Sequence, residues 1–164
     1  MHIIITGSVA SGKTTIANEL KRRISFPKFI VVNDKVFAQE HNLGVCNKET
    51  GEYEVDVILF SRKISEFVKS KKNVIFEGHL FCELQKFLLM KINYVFVLKN
   101  SEKFLRDAMK ERGYNVLKIE ENILCFKTNY FEKKFNKKHI NFITIQATKD
   151  LKLNVNKINK YLKL

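Results

Sequence analysis

The chain predicts a three-layer α/β/α fold built on a five-stranded, mostly parallel sheet. Three observations lead there. The apolar run Ile3-Ile4-Ile5 ends directly in Gly7-Ser8-Val9-Ala10-Ser11-Gly12-Lys13-Thr14, a GxxxxGK[ST] loop between a strand and a helix. Short apolar strands then alternate with amphipathic helices along the chain, the pattern of a parallel sheet covered on both faces. Finally, 164 residues that are 45% hydrophobic suffice for one domain with a sizeable core, and one domain over 1–164 is expected.

Taken in order, the first strand is Ile3 to Thr6, and the helix opening in the loop runs to about Ile24 with Ile16, Ala17 and Leu20 on its inner side. Pro27 marks a turn before a second strand, Phe29 to Val32. Asp34 starts a helix through Val36, Phe37 and Glu40, and the polar interval 42–54, with Gly44 and Gly51, reads as loop or hairpin. A helix from about Val57 stops at Lys69-Ser70-Lys71-Lys72, followed by a third strand, Asn73 to Phe76, and a fourth, Tyr94 to Leu98. Ser101 caps a helix to Arg112 whose buried stripe is Phe104, Leu105, Ala108 and Met109, and Gly113 ends it. One helix from about Val116 to Phe135, a fifth strand at Phe142 to Ile145 and a helix from Leu151 to Leu162 complete the chain.

Composition narrows the class. Cys46, Cys82 and Cys125 lie far apart without metal-ligand or CxxC spacing, so they read as free thiols of a reducing compartment. The first strand begins at once, and no apolar run approaches bilayer length, so an intracellular, soluble protein without a targeting segment or membrane contact is expected. The net charge is +13, of which +3 falls in residues 1–82 and +10 in residues 83–164. Such an excess attracts polyanions. Lysine outnumbers arginine 25 to 5, however, and dispersed lysines on solvated faces produce the same total.

The loop carries the chemistry. A strand that ends in it aims backbone N–H groups at a nucleotide phosphate, with the positive end of a helix behind them. Gly7 through Thr15 would line the nucleotide, Lys13 would reach the β- and γ-phosphates of ATP, and the Thr14 hydroxyl would hold Mg²⁺. A guanine-reading Asn-Lys-x-Asp motif is absent, and Lys99-Asn100 has the wrong order for one. A short basic patch after the fourth strand, Arg106, Lys110 and Arg112, stands where small phosphotransferases gather cations around a migrating phosphoryl group.

Several stretches carry a more specific likeness. They are Ile5 through Thr15, Val32-Asn33-Asp34 with Gln39-Glu40, Tyr53-Glu54-Val55-Asp56, Val74-Ile75-Phe76-Glu77-Gly78-His79-Leu80, and Phe96-Val97-Leu98 leading to Glu111-Arg112-Gly113-Tyr114-Asn115 and Lys118 to Asn122. In this order, over roughly residues 2–130, the chain resembles the small adenylate-kinase-like family of archaea and eukaryotes. The resemblance implies a nucleoside monophosphate kinase-like fold with a monophosphate-binding region at about 33–68 and a short lid at about 112–122. It implies transfer of the γ-phosphoryl group of Mg-ATP to AMP, with ATPase activity. The other reading is an ATPase serving maturation of the small ribosomal subunit by binding a ribosomal protein or rRNA, in a cytoplasmic or, for a eukaryotic source, nuclear setting.

Carried over residue by residue, the resemblance implies Lys13 on the transferring phosphates, Thr14 and Glu77 at the metal, His79 two residues on, and Arg112 opening the lid. Asp34 and Asp56 match the monophosphate region, and Arg106 is a candidate for the substrate's phosphates. Each has an ordinary alternative: Glu77 capping a turn, His79 a structural donor, Asp34 a helix N-cap, Arg112 a favourable charge at a helix end. The chain departs from the family at Ala108, where an arginine is common, and at Glu77, where aspartate is usual; both bear on transfer more than on nucleotide binding. The aromatics Phe126, Tyr130, Phe131 and Phe135 are expected to pack a helix on the sheet or to face a partner. Glu49, Glu52, Glu54 and Asp56 form an acidic concentration that could receive a basic partner, and Lys133, Lys134, Lys137 and Lys138 a basic face for RNA.

Overall fold

A computed structural model describes residues 1–25, 27–48 and 51–162. Four parallel pairings join five strands: β1 (His2–Gly7), β2 (Ile30–Asn33), β5 (Val74–Glu77), β6 (Tyr94–Lys99) and β7 (Ile143–Gln146). They lie in the order β2-β5-β1-β6-β7, so β1 is central. Centrality explains its sequence: Ile3, Ile4 and Ile5 are all fully buried, alternating between the two faces, and no polar alternation is possible. A separate antiparallel hairpin pairs β3 (Gly44–Cys46) with β4 (Tyr53–Val55) within the interval read as loop or hairpin.

The helical layers follow from which face each strand residue serves. On one face α1 (Lys13–Arg23) and α8 (Leu151–Leu162) close over Ile3, Ile5, Phe96 and Leu98, burying Ile16, Leu20, Val155 and Ile158. On the other, α2 (Asp34–Glu40), α3 (Val57–Ser70) and α7 (Tyr130–Lys137) bury Phe37, Phe60, Ile64, Phe131 and Phe135 over Ile4 and Phe76. A 3-10 turn at Leu80–Glu83 and the single-turn α4 (Lys86–Leu89), neither expected from the sequence, add Phe81 and Leu88 to the same core. A third, smaller cluster joins α5 (Glu102–Glu111) to α6 (Val116–Lys127) through Leu105, Met109, Ile119 and Ile123, and it reaches the phosphate loop at Ala10.

The expected helix from Val116 to Phe135 is two helices. Asn129 takes the left-handed conformation at φ +52°, and its side chain accepts a hydrogen bond from Lys99 Nζ at 2.6 Å. The break has a packing cause: α6 buries its apolar side with α5, whereas Phe131 and Phe135 of α7 bury against the sheet, and one straight helix cannot serve both cores. Of the four aromatics expected to pack a helix on the sheet, Tyr130, Phe131 and Phe135 do so, whereas Phe126 packs with the α5–α6 cluster instead. Among the described residues no helix is long and apolar enough to cross a membrane.

Candidate active site

The loop geometry begins with two glycines. A Cβ on Gly7 would stand 2.5 Å from the Leu98 carbonyl oxygen of the neighbouring strand, and Gly12 caps α1 from the left-handed region at φ +88°. Ala10, between them, also has a positive φ of 62°. The first amides of α1 have no partner within the helix, and this loop presents them together at the C-terminal end of β1. Lys13 Nζ folds back into the hollow and donates to the carbonyl oxygens of Gly7 at 3.0 Å and Ser8 at 2.8 Å. Burial pushes its pKa down to about 8; Asp34 and Glu77 oppose the shift, while Arg112 and Lys35 add to it.

The sheet register places the carboxylate. Glu77, the last residue of β5, pairs with Ile5 of β1 on one side and Asn33 of β2 on the other. Its side chain is buried, and Oε1 accepts from Thr14 Oγ1 at 3.0 Å and from Asn33 Nδ2 at 2.6 Å. A hydroxyl and a carboxylate at this separation are hard oxygen donors suited to Mg²⁺. Glu77 therefore faces the loop and does not cap the following turn.

Asp34 is equally buried but differently used. Its Oδ2 accepts from the backbone amides of His79 at 2.7 Å and Leu80 at 2.8 Å, and its Oδ1 from the amide of Lys35 at 2.8 Å. Gly78, at φ +145°, leaves no room for a side chain: a Cβ there would lie 2.1 Å from Asp34 Cγ. Asp34 is thus a brace between β2 and the β5 exit, and the α2 cap is Asn33, which accepts from the Val36 amide. The His79 ring stands 3.7 Å from Asp34 and opens to the surface. Partial burial lowers its pKa; Asp34 opposes this, and the cations Lys13, Lys35 and Lys118 reinforce it.

Two clefts flank the loop. One, of about 620 Å³, is bounded by Ser11, Gly12 and Thr15 of the loop and α1, Phe104 and Ala108 of α5, and the segment Ala147-Thr148-Lys149. Asn154 fixes that segment, accepting from the Thr148 amide at 2.9 Å and donating to its carbonyl at 2.8 Å. The other, of about 560 Å³, meets the loop at Ser8 and Val9 and is walled by Lys35, Tyr53, His79, Tyr114 and Lys118.

Three of the residues assigned to substrate from the sequence lie elsewhere. Asp34 has both oxygens committed to backbone amides, as above. Asp56 caps α3, accepting from the amides of Ile58 and Leu59, and borders neither cleft. Arg106 joins the two helices of the third cluster: its Nε donates to Glu102 at 2.8 Å, and NH1 and NH2 make a bidentate pair with Glu120. Arg112, the C-terminal cap of α5, is exposed and close enough for its charge to depress the Lys13 pKa. The sequence reading missed Lys35 as a lining residue. It did quote Lys118 as part of a matching stretch, though without a role.

A parallel sheet whose central strand ends in this loop, with a carboxylate from the adjacent strand at the loop's hydroxyl, defines a P-loop NTPase with kinase-like α/β/α architecture. Residues 3–128 match the family model described as "AAA domain", and the chain belongs to that family. Over 126 residues it is 35% identical to a Pyrococcus furiosus protein described as "Putative adenylate kinase", covering 75% of this chain and 62% of that one. It is 30% identical over 125 residues to the "Adenylate kinase isoenzyme 6 homolog" of Caenorhabditis elegans, covering 76% and 66%. The chain thus spans less than two thirds of the length of these relatives. In fold it is similar to shikimate kinase from Bacteroides thetaiotaomicron, with a TM-score of 0.69 at 15% identity over 100% of this chain and 99% of that one. Deoxyadenosine kinase from M. mycoides gives 0.63 at 18% identity over all of both chains.

Proposed function

We propose that the protein transfers the γ-phosphoryl group of Mg-ATP to AMP, with hydrolysis of ATP as the accompanying reaction. The observation that carries this reading is the pair of clefts meeting at one loop, each about the size of a nucleotide site. A nucleotide whose phosphates fill the loop has its base side in the cleft of Phe104 and Ala147-Thr148-Lys149. An acceptor in the cleft of Tyr53 and Tyr114 then has its reacting oxygen beside Ser8, Lys13 and His79. Descriptions of the relatives as adenylate kinases support ATP and AMP as the pair.

In this mechanism the loop amides bind the β-phosphate, and Lys13 leaves its carbonyl partners for the transferring group. Charge that develops on the equatorial oxygens is met by Lys13 and Arg112. Thr14 and Glu77 would hold Mg²⁺, which neutralises phosphate charge. His79, whose backbone amide is held by Asp34, lies beside the acceptor. The segment 112–122 closes as a lid that keeps water from accepting the phosphoryl group, and residues 33–68 supply the acceptor's wall.

The test is a coupled assay of purified protein with Mg-ATP alone and with each nucleoside monophosphate. ADP formation stimulated most by AMP is the expected result. A clear preference for another acceptor overturns AMP as substrate. Hydrolysis without any nucleotide acceptor supports instead the partner-coupled ATPase implied by the resemblance, with a small-subunit ribosomal protein or rRNA as its partner.

A further inference from the structure

The cleft opposite the base side holds cations that the reading above leaves without a role. Lys35 comes from the first turn of α2 and Lys118 from the first turn of α6, so they reach the cleft from opposite walls. Lys35 is exposed, and its ammonium group has no hydrogen bond or ion pair among the described residues. Lys118 is half-buried, and its Nζ is held by Glu52, which precedes β4 of the hairpin. That contact ties the proposed lid segment, where it enters α6, to the hairpin across the mouth of the cleft.

We propose that Lys35 and Lys118 form a clamp for the phosphate of the acceptor, and that Glu52 serves as the resident counter-ion of Lys118, exchanged for that phosphate when the acceptor binds. The inference rests on the reading of this cleft as the acceptor site, and it names the feature the cleft selects: a phosphate monoester dianion.

Charge accounting supports the clamp. The carboxylates nearest the loop are already committed, Asp34 to three amides and Glu77 to Thr14 and Asn33. Glu83, which also borders the cleft, accepts from Tyr130 and Lys134. Glu52 holds Lys118 at the cleft, so its exchange releases a cation there. Lys35 and Lys118 line the same cleft, and both lower the pKa of Glu52, so their fields converge beside the hairpin. A dianion placed there meets two ammonium groups, each a point charge that needs no planar fork. Its rival, the Glu52 pair, has both side chains substantially in water, at 39% and 56% exposure, and such a pair is easily exchanged. The uncharged nucleoside has nothing to offer Lys118 and leaves it paired with Glu52.

The experiment is titration calorimetry with a non-hydrolysable ATP analogue and Mg²⁺ filling the loop, and with AMP, CMP, GMP, UMP and adenosine as titrants. Wild type should bind AMP at least about tenfold more tightly than adenosine, and Lys35→Met or Lys118→Met should each reduce that ratio about tenfold. Lys118→Arg should keep most of the ratio. Glu52→Gln should tighten AMP by about two- to fivefold, because Lys118 no longer has to be released. Thermal melting of each variant identifies any that fail to fold, and the solvent-facing ends of both lysines make folding the expected result. If AMP is phosphorylated while both methionine variants keep the wild-type AMP-to-adenosine ratio within about twofold, the clamp is overturned and the kinase reading survives. If monophosphates bind with the predicted lysine dependence but none is phosphorylated, the clamp stands and the kinase reading falls. No monophosphate binding better than adenosine in wild type overturns the clamp. Weakened AMP binding in Glu52→Gln overturns the exchange.

Discussion

At the scale of single residues, Lys13 is the side chain with the most to change on binding. Held by two carbonyls and depressed to about 8, it is only partly charged at pH 8. Nucleotide phosphates favour its charged form and raise its pKa in the complex, so binding at pH 8 should take up a fraction of a proton and affinity should fall as pH rises above 8. Calorimetry in buffers of different ionisation enthalpy should detect that proton, and Lys13→Met should abolish it while lowering turnover by on the order of 10²-fold or more. Gly78 makes a separate claim on stability. Gly78→Ala puts a methyl group into the Asp34 carboxylate and a side chain at φ +145°. Urea unfolding should show a loss of at least about 1–3 kcal/mol from the backbone term alone.

At the scale of elements, the contacts separate capping from recognition. Asp56 holds the first turn of α3 by two amide hydrogen bonds. Asp56→Ala should therefore cost about 1 kcal/mol of stability and leave the KM for AMP unchanged. A raised KM at unchanged stability would restore Asp56 to the substrate. Arg106 spans α5 and α6, so Arg106→Met should loosen the helix pair, visible as faster amide exchange in α6, rather than remove a phosphate contact. Ala108 lines the base-side cleft beside Phe104, so the departure from the family arginine leaves an open wall there and not a hole in the core. Two of the four lysines read as an RNA face do structural work at this scale: Lys134 pairs with Glu83, and Lys138 donates to the carbonyls of Cys82 and Leu84. The acidic concentration is likewise spent locally, Glu52 on Lys118, Glu54 on Asn47 and Asp56 on its cap; Glu49 lies outside the described residues.

At the scale of the whole molecule, the central position of β1 puts one loop at the junction of two clefts on opposite sides. A ligand that joins two adenosines through a chain of five phosphates should fill both. It should raise the melting temperature more than ATP or AMP alone at equal concentration, since a ligand at 100 times its Kd adds about 2.7 kcal/mol. A shift no greater than that of ATP would place the second cleft outside the acceptor path.

Local order in the chain was enough for the loop, the strand–helix alternation and the last helix, because each depends on neighbours a few residues apart. The role of Glu77 was legible only through the family resemblance, since its place at the end of Val74-Ile75-Phe76 also suited a turn cap; the register of β5 beside β1 is what sets it against Thr14. The break at Asn129 was not legible, since apolar spacing continues through it; only the existence of two separate cores makes a bend necessary. Nor could spacing reveal that Arg106 meets Glu120, or that Lys35 and Lys118 converge on one cleft from elements 83 positions apart. Sequence by itself determined the phosphate loop and the layered architecture, which arise from periodicity and backbone chemistry. Tertiary structure alone decided which charges are spent within the fold and which face a substrate, because that depends on the partners that folding brings within hydrogen-bonding distance.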